Sequence, residues 1–298
     1  MRDAWNHLVA DGTLITPTLT PGSPLAGLSG NRAAVAGVVT QTLTSGSAVG
    51  TTTVGAEGIV VTGDTLITIV PGPPAIARVT ATPAVLPVGG TTTLVILVTD
   101  AFENVVPPAT ITVTSQLGTF EGSSSNTLSR ETVAGVLTTT LSATVAGTDT
   151  LTFVGEAGAM TLHPASDQVR FTPGSVQQVV LEPTGPLTLT AGSSITLTAT
   201  GRDGYGNPVD PWSPITYAWR QASAPGGAGY GVLSSAAPYS RSVRFTPQRV
   251  GANQVWATGA ALTSNVLAIT VLNGPAALAS AMVEPASVPA DGVTPFVI

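Results

Sequence analysis

One short pattern occurs three times in this chain and sets the length of a repeat. An Asp is followed two positions later by an aromatic residue, four positions later by Asn or His, and six positions later by Val. The pattern occupies residues 3–9, 100–106 and 203–209, so the Asp positions lie 97 and 103 residues apart. This spacing indicates that the chain consists of similar units placed in tandem.

Three further markers recur in the same order around each Asp. A Gly opens an alternating segment 47 or 48 residues after the Asp, at Gly50, Gly147 and Gly251. A turn that contains Gly closes each unit, and a segment that contains Pro and ends in Gly opens the next one. The closing turns lie at 70–74, 172–175 and 272–275, and the opening segments lie at 81–90, 181–192 and 283–292. Four markers in one order predict a tandem repeat of about 100 residues.

The segments between the markers have the pattern of β-strands. Apolar and polar side chains alternate in residues 194–200 and 215–220, which is typical of a strand with one face in a core and one in solvent. Val and Thr suit the pleated surface of a sheet, and 33 Gly and 24 Pro supply turns. Several short strands per unit, separated by turn signals, predict an all-β fold built from β-sandwiches.

Charge and cysteine content exclude several classes of protein. Charged residues make up only 9% of the chain and the formal net charge is −6, so we expect no nucleic-acid partner. The chain has no Cys and therefore no disulfide or thiolate metal site. No apolar run is long enough for a membrane helix, so we expect no membrane insertion in this segment. All ten basic residues are Arg, and the Lys that often protects exposed sheet edges from pairing is absent.

Three segments resemble the bacterial immunoglobulin-like domains, and in particular the invasin- and intimin-type (Big-1-like) repeats of surface proteins. They are the Asp motif at 100–106, the sequence Glu-Pro-Ala-Ser-Val-Pro-Ala-Asp-Gly at 284–292, and Ala-Gly-Thr at 146–148. The resemblance implies an elongated series of tandem immunoglobulin-like sandwiches and a bacterial extracellular or cell-surface location. Domains of this family serve mostly as rigid spacers in adhesins, fibres and surface layers. The chain departs from the family's pattern at His7, where Asn is usual, and in having no Lys.

Together, the markers and the resemblance divide the chain into four parts. Residues 1–74, here called the head, are expected to form an immunoglobulin-like domain that lacks its first strands. Residues 75–174 are expected to form a complete domain, and residues 175–275 a complete domain with a long loop that contains aromatic residues. Residues 276–298, here called the tail, are expected to be the first strands of a further domain.

Head and tail together have about the length of one repeat, and three interpretations are open. The chain is one segment of a longer array, or the tail of one copy completes the head of the next, or head and tail meet within one chain. The length of two intact sandwiches between them disfavours the last interpretation. The second interpretation gives a head-to-tail polymer formed by strand addition. Its assembly strand contains Val283, Val288, Phe296, Val297 and Ile298.

The sequence offers little for catalysis or metal binding. His7 and His163 are the only histidines and lie in different repeats, so a Ser-His-Asp triad is not indicated. We expect no enzyme, no catalytic residue and no cofactor. Asp203, Asn207 and Asp210 lie in one loop with oxygen ligands of the kind that calcium prefers, and they are a weak candidate for a calcium site. Asp and Asn in such loops more often bind the backbone of their own turn.

Aromatic residues concentrate in the third unit. Trp212 lies in a loop after Pro211, and Tyr230 and Tyr239 lie in the segment 222–240, which is long for a sandwich loop. These three aromatic residues are candidates for contact with a sugar or a protein partner, or they cover the open end of their domain.

The pattern as a whole favours a structural role. We predict a repeating subunit or segment of an extracellular or cell-surface filament or adhesin stalk, which assembles with itself head to tail, with β-strand complementation as one form of the joint. The alternative is a carbohydrate- or receptor-binding surface module in which the third unit binds cell-surface glycans.

Overall fold

The computed structural model describes residues 1–21, 25–57, 62–164, 166–210, 214–221, 231–234 and 240–275, together with residues 287, 290 and 293. Every regular element among these residues is a β-strand, which confirms the all-β prediction. The described residues include no helix long and apolar enough to cross a membrane. The chain divides into two compact units, Met1–Pro173 and Gly174–Ile298. The domain boundaries at 74, 174 and 275 stay a prediction.

The first part of the first unit contains two small sheets. Its strands are β1 (Leu14–Thr20), β2 (Ala26–Leu28), β3 (Arg32–Ala33), β4 (Leu43–Ser45), β5 (Gly50–Glu57) and β6 (Thr62–Ile69). One sheet has the order β3-β1-β5-β6, and the other consists of β2 and β4. Few apolar side chains are buried here, chiefly Ile15, Ala26 and Ala34, and none of them belongs to a larger buried cluster.

The second part of the first unit is a complete sandwich, here called the middle sandwich. Its strands are β7 (Ile76–Thr82), β8 (Val85–Pro87), β9 (Thr91–Thr99), β10 (Thr110–Ser115), β11 (Gly118–Phe120), β12 (Thr127–Glu131), β13 (Val136–Ala143), β14 (Gly147–Thr148), β15 (Leu151–Gly155), β16 (Gly158–Leu162) and β17 (Arg170–Thr172). Eight strands pair in the order β11-β13-β9-β7-β16-β15-β10-β12, of which the first four form one layer and the last four the other, and a separate three-stranded sheet has the order β14-β17-β8.

Alternation along these strands builds one core between the two layers. Leu94, Ile96 and Leu141 from the first layer and Ile111 and Phe153 from the second belong to a single buried cluster. Each large side chain of this kind contributes roughly 1.5–3 kcal/mol when fully buried. The alternation of buried and exposed side chains along β9, β10 and β13 therefore gives each layer one face in the core.

The second unit contains a further sandwich, here called the third sandwich. Its strands are β18 (Gln178–Glu182), β19 (Leu187–Thr190), β20 (Ile195–Arg202), β21 (Pro208–Val209), β22 (Thr216–Gln221), β23 (Gly231–Leu233), β24 (Ser242–Pro247), β25 (Gly251–Gly259), β26 (Leu262–Thr263) and β27 (Leu267–Leu272). The layers have the orders β18-β20-β24-β23 and β19-β27-β25-β22. If β18, β20, β22, β23, β24, β25 and β27 are named A to G, the layers contain the A-B-E-D and G-F-C arrangements of an immunoglobulin fold. β19 pairs with the outer edge of strand G. The strands predicted at 194–200 and 215–220 appear as β20 and β22, each shifted by a residue or two.

The two sheets of the head correspond to strands of the middle sandwich. β2 and β4 pair Ala26 with Ser45 and Leu28 with Leu43, and β11 and β13 pair Gly118 with Ala143 and Phe120 with Leu141 in the same register. β1, β5 and β6 likewise follow the order of β10, β15 and β16. In the middle sandwich β13 also pairs along its other edge with β9 over seven residues. Among the described residues, β4 has no partner that corresponds to β9.

Candidate assembly site

The Asp100 turn joins the middle sandwich to the segment that precedes it. One carboxylate oxygen, Oδ1, accepts hydrogen bonds from the backbone N–H groups of Phe102 at 2.8 Å and Asn104 at 2.9 Å. The other, Oδ2, accepts from the Asn104 side chain and from the backbone N–H of Gly72, each at 2.9 Å. Gly72 belongs to the closing turn of the head, so one carboxylate holds both its own turn and the linker before it.

The Asp203 turn has the same geometry. Its Oδ1 accepts from the backbone N–H groups of Tyr205 and Asn207, both at 2.9 Å. Its Oδ2 accepts from the Asn207 side chain at 3.0 Å and from the backbone N–H of Gly174 at 2.9 Å. Gly174 also lies in a closing turn, so the linker contact recurs.

The Asp3 turn is built like the other two. The Asp3 Oδ1 accepts from the backbone N–H groups of Trp5 and His7, both at 2.9 Å, and Asp3 donates its own N–H to the His7 carbonyl at 2.8 Å. The residue three positions after the Asp has a positive φ in all three turns, at 71° for Asn6, 65° for Glu103 and 87° for Gly206. Asp3 therefore occupies a preformed turn. The hydrogen bond from the His7 N–H is the largest influence on the pKa of Asp3, and it lowers that pKa.

Burial and hydrogen bonding shift the pKa values of the two inner carboxyl groups in opposite directions. Asp100 is 2% exposed and Asp203 is 4% exposed. Burial alone would raise the pKa of Asp100, but the hydrogen bonds from Asn104 and Gly72 outweigh it and lower the pKa. At Asp203 burial likewise raises the pKa, but the hydrogen bonds outweigh it and lower the pKa, and the largest of them comes from the Gly174 N–H. Both groups are therefore charged acceptors at neutral pH, and hydrogen bonds to charged groups are stronger than those between neutral groups.

The linker contacts of Gly72 and Gly174 are functional features that the sequence reasoning missed. The signal was present, because each Gly precedes its Asp by an almost constant distance, 28 residues in one repeat and 29 in the other. In the sequence both residues are visible only as parts of a closing turn, because a backbone N–H donor is common to every residue except Pro.

The described part of the head also has an open groove. A cavity of about 370 Å³ lies between β1, β5 and the segment before β4, and apolar residues such as Ile15, Val38 and Val54 line it. Val38 is 64% exposed. In the middle sandwich, Leu94 and Ile96 of β9 are fully buried in one cluster with Ile111 and Leu151. Among the described residues, the head has no strand that corresponds to β9 and no such cluster.

The predicted metal candidates do not converge on one point. Asp203 and Asn207 bind each other and the turn backbone, whereas Asp210 forms an ion pair with Arg241. Within the part of the chain that the structure describes, no group of three or more His, Cys, Asp or Glu residues is placed to hold a metal. Calcium binding at these three residues stays a prediction.

The remaining predicted site residues lie outside the described part of the chain. They are Trp212, Tyr230 and Tyr239 for ligand contact, and Val283, Val288, Phe296, Val297 and Ile298 for the assembly strand. Their roles stay predictions. Of the two histidines, His7 contacts the Asp3 carboxylate at 3.3 Å, and His163 accepts a hydrogen bond from Arg78 at 2.9 Å.

The chain is similar to solved structures of bacterial surface proteins. No family model and no curated protein matches it. It is 17% identical to the bacterial integrin-binding protein invasin, with a TM-score of 0.40, and the match covers 92% of this chain and 55% of that one. It is 15% identical to the Escherichia coli adhesin FdeC, with a TM-score of 0.41 and coverage of 91% and 89%. It is 18% identical to InvD of Yersinia pseudotuberculosis, with a TM-score of 0.43 and coverage of 70% and 61%.

The chain spans little more than half of the invasin structure, and likeness at this level of identity concerns the fold alone. The invasin and intimin structures to which it is similar are of the kind that the sequence motifs resemble. By the strand order of its own sheets, the chain belongs to the immunoglobulin-like β-sandwich fold.

Proposed function

We propose that this chain is a structural repeating unit of a bacterial extracellular filament or adhesin stalk, in which the tail of one copy completes the head of the next. The proposal is supported by an edge of β4 that has no partner among the described residues, together with the apolar groove between β1, β5 and the segment before β4. An exposed strand edge with unpaired backbone groups is a template for strand addition. The chain has no Lys to protect such an edge.

The tail has the sequence of the strands that correspond to β7, β8 and β9. With Gly292 placed on Gly90, the inward-facing positions of the middle sandwich fall on apolar residues or Thr in the tail. Each member of the set from the middle sandwich is buried. The pairs, in order along the strands, are Ala81 with Val283, Leu86 with Val288, Thr92 with Thr294, Leu94 with Phe296 and Ile96 with Ile298. Val297 corresponds to Val95, which is 41% exposed, so Val297 faces solvent in this alignment.

The energetic gain would come from the groove and the backbone together. Filling the cavity with Phe296 and Ile298 would contribute roughly 1.5–3 kcal/mol for each fully buried side chain. Pairing the edge of β4 would also remove the cost of unpaired backbone groups, about 1–3 kcal/mol for each one that becomes buried. Because the contact joins unlike ends of two copies, it need not close on itself and extends to a filament.

Deletion of residues 276–298 tests the proposal. We expect the full chain to form linear multimers at micromolar concentration and the truncated chain to remain monomeric, as measured by light scattering and electron microscopy. A synthetic peptide of residues 276–298 should bind the truncated chain with a stoichiometry of about one. In a longer tandem array the same strands are joined by peptide bonds, and the peptide experiment tests completion of the head in that case too. Linear multimers of the truncated chain that match those of the full chain would contradict the proposal.

A further inference from the structure

We infer that the Asp3 turn is the receiving half of a junction between copies, and that Gly274 of the preceding copy is the donating half. This inference rests on the proposed head-to-tail assembly and adds a second contact to the strand exchange. The partner is a second copy of this chain, and the contact joins the closing turn of the third sandwich to the first turn of the next head.

Two junctions within the chain show the geometry. The N–H of Gly72 donates to Asp100 Oδ2 and the N–H of Gly174 donates to Asp203 Oδ2, both at 2.9 Å. A Cβ added to either Gly would lie 3.6 Å from the Cβ of the same Asp, so each linker packs directly on the carboxylate that it binds. The closing turn at 272–275 places Gly274 at the equivalent position. Counted through the tail and into a following head, Gly274 precedes Asp3 by 27 positions.

The receiving half is preformed, and no linker among the described residues occupies it. Asp3 Oδ1 already accepts the two N–H groups of its own turn. Among the described residues, no backbone N–H reaches Asp3 Oδ2, whose partner is the His7 ring at 3.3 Å. The Asp3 side chain is 37% exposed, whereas the residues Asp100 and Asp203 are almost fully buried. The Asp3 turn therefore has the contacts of the other two apart from the linker donor.

The donating half is also held in place. A Cβ on Gly274 would lie 3.0 Å from the carbonyl oxygen of Ala191, so the backbone packs closely there and a larger residue would need the Ala191 backbone to shift. Within the described part of the chain, no acceptor is recorded for the Gly274 N–H. An N–H positioned by close packing and a charged acceptor in a preformed turn form a strong pair when brought together.

A second polar contact lies at the junction between the head and the middle sandwich. Asn104 donates from its side chain to the carbonyl of Ser47 at 2.8 Å, so the middle turn also binds the loop before β5. Ser47 lies three residues before Gly50, and Gln248 lies three residues before Gly251. His7 holds the position of Asn104, and its ring is 76% exposed. We therefore place the carbonyl of Gln248 of the preceding copy within reach of the His7 ring.

Apolar residues complete the interface. Phe102 borders a cavity of about 420 Å³ together with Val49 and Val70. The equivalent residues of the inferred junction are Trp5 of the following copy and Val250 and Leu272 of the preceding copy. They are 78%, 50% and 52% exposed. Trp5 would border both aliphatic side chains as Phe102 borders Val49 and Val70, and these last three residues stay exposed at the internal junction, at 65%, 41% and 70%.

Two variants of the full chain test the inference. Asp3→Asn keeps one carbonyl oxygen for the N–H groups of Trp5 and His7 but removes the second acceptor, and Trp5→Ala removes the apolar contact. We expect Asp3→Asn to weaken end-to-end association about tenfold in sedimentation velocity, as the loss of a hydrogen bond to a charged group implies. We expect Trp5→Ala to weaken it by a smaller factor, because the equivalent Phe102 is only partly covered at the internal junction. Glu156→Ala, an exposed change far from the junction residues in sequence, is the control and should associate like the unmodified chain.

A double-mutant cycle locates the contact. Trp5→Ala combined with Val250→Ala should weaken association by less than the product of the two single effects, because the residues share one interface. If both the Asp3→Asn and Trp5→Ala variants associate with unchanged affinity while deletion of the tail abolishes association, the junction is wrong and the strand exchange stands. If the chain without its tail associates normally, the proposed function itself fails. A circular-dichroism spectrum identical to that of the unmodified chain shows that the variants fold.

Discussion

At the scale of single residues, the repeated Asp matters because one carboxylate serves two parts of the backbone. At Asp100 and Asp203, Oδ1 binds the turn and Oδ2 binds both the Asn side chain and the linker Gly. Sequence reasoning identified the turn from the pattern Asp-x-aromatic, since Asp and Asn are typical of turns. The linker contact was hidden because its donor is a backbone N–H, which every residue except Pro possesses.

Replacement of Asp100 gives a prediction with a defined pH dependence. The folded-state pKa of Asp100 is lowered from its ordinary value of 3.8, so the charged group stabilises the fold fully above that value and loses its effect as the pH falls through the lower folded-state pKa. Asp100→Asn would turn one acceptor into a donor facing the Gly72 N–H. We expect a loss of about 1–3 kcal/mol in the free energy of unfolding at pH 7.

Urea unfolding from pH 7 to pH 2 measures this effect. The difference between the unmodified chain and Asp100→Asn should be constant down to about pH 4 and should shrink below it. Glu156→Ala provides the baseline for loss of an exposed acid. A difference that stays constant throughout the acid range would show that the charge of Asp100 contributes nothing.

At the scale of secondary-structure elements, the sequence pattern predicts where strands lie, but only the structure shows which strands pair with each other. The segment 92–98, which is rich in Val, Ile, Leu and Thr and is bounded by Gly90 and Asp100, appears as β9. The sequence does not show that β4 is only three residues long, or that its register with β2 equals that of β13 with β11. Strand pairing depends on residues far apart in the chain, so local periodicity cannot determine it.

Disulfide trapping tests the register of the proposed strand exchange. In the middle sandwich Ser142 lies opposite Thr91, which places Thr44 opposite Val293 of the preceding copy. Because the chain has no Cys, a variant with Thr44→Cys and Val293→Cys reports only on that pair. We expect covalent multimers on a non-reducing gel after mild oxidation, since directly opposite Cβ atoms lie about 4.5–5.5 Å apart.

Val297 provides the matched control for the trapping experiment. A variant with Thr44→Cys and Val297→Cys shifts the second Cys by four residues, or about 13 Å along a strand. It should remain monomeric on the same gel. Equal trapping of the two variants would mean that the tail has no fixed register on β4.

At the scale of the whole molecule, the three sandwich regions differ in how much apolar surface they bury. The middle and third sandwiches each have a large buried cluster. In the head the buried apolar side chains are chiefly Ile15, Ala26 and Ala34, and they belong to no larger buried cluster. A region with so little buried surface would have low stability by itself, so its stability should depend on what fills the groove.

This difference predicts a melting transition that depends on concentration. If the tail of another copy completes the head, mass action stabilises the head as the protein concentration rises. By calorimetry we expect the lowest transition of the full chain to move upward on the order of 5 °C for each tenfold increase in concentration. The transitions of the other two sandwiches should not move. A chain without residues 276–298 should show no shift, and a shift that persists without the tail would point to a different contact.

The sequence by itself determined the all-β class, the repeat of about 100 residues and the turn at each Asp. These features arise from local side-chain preferences and from a pattern that occurs three times. Only the tertiary structure showed which strand edge is open, which linker glycines bind the Asp carboxylates, and that Asp3 has no such linker among the described residues. Those facts depend on backbone groups brought together over distances of 28 residues or more, and backbone groups are the same in every residue whatever its side chain.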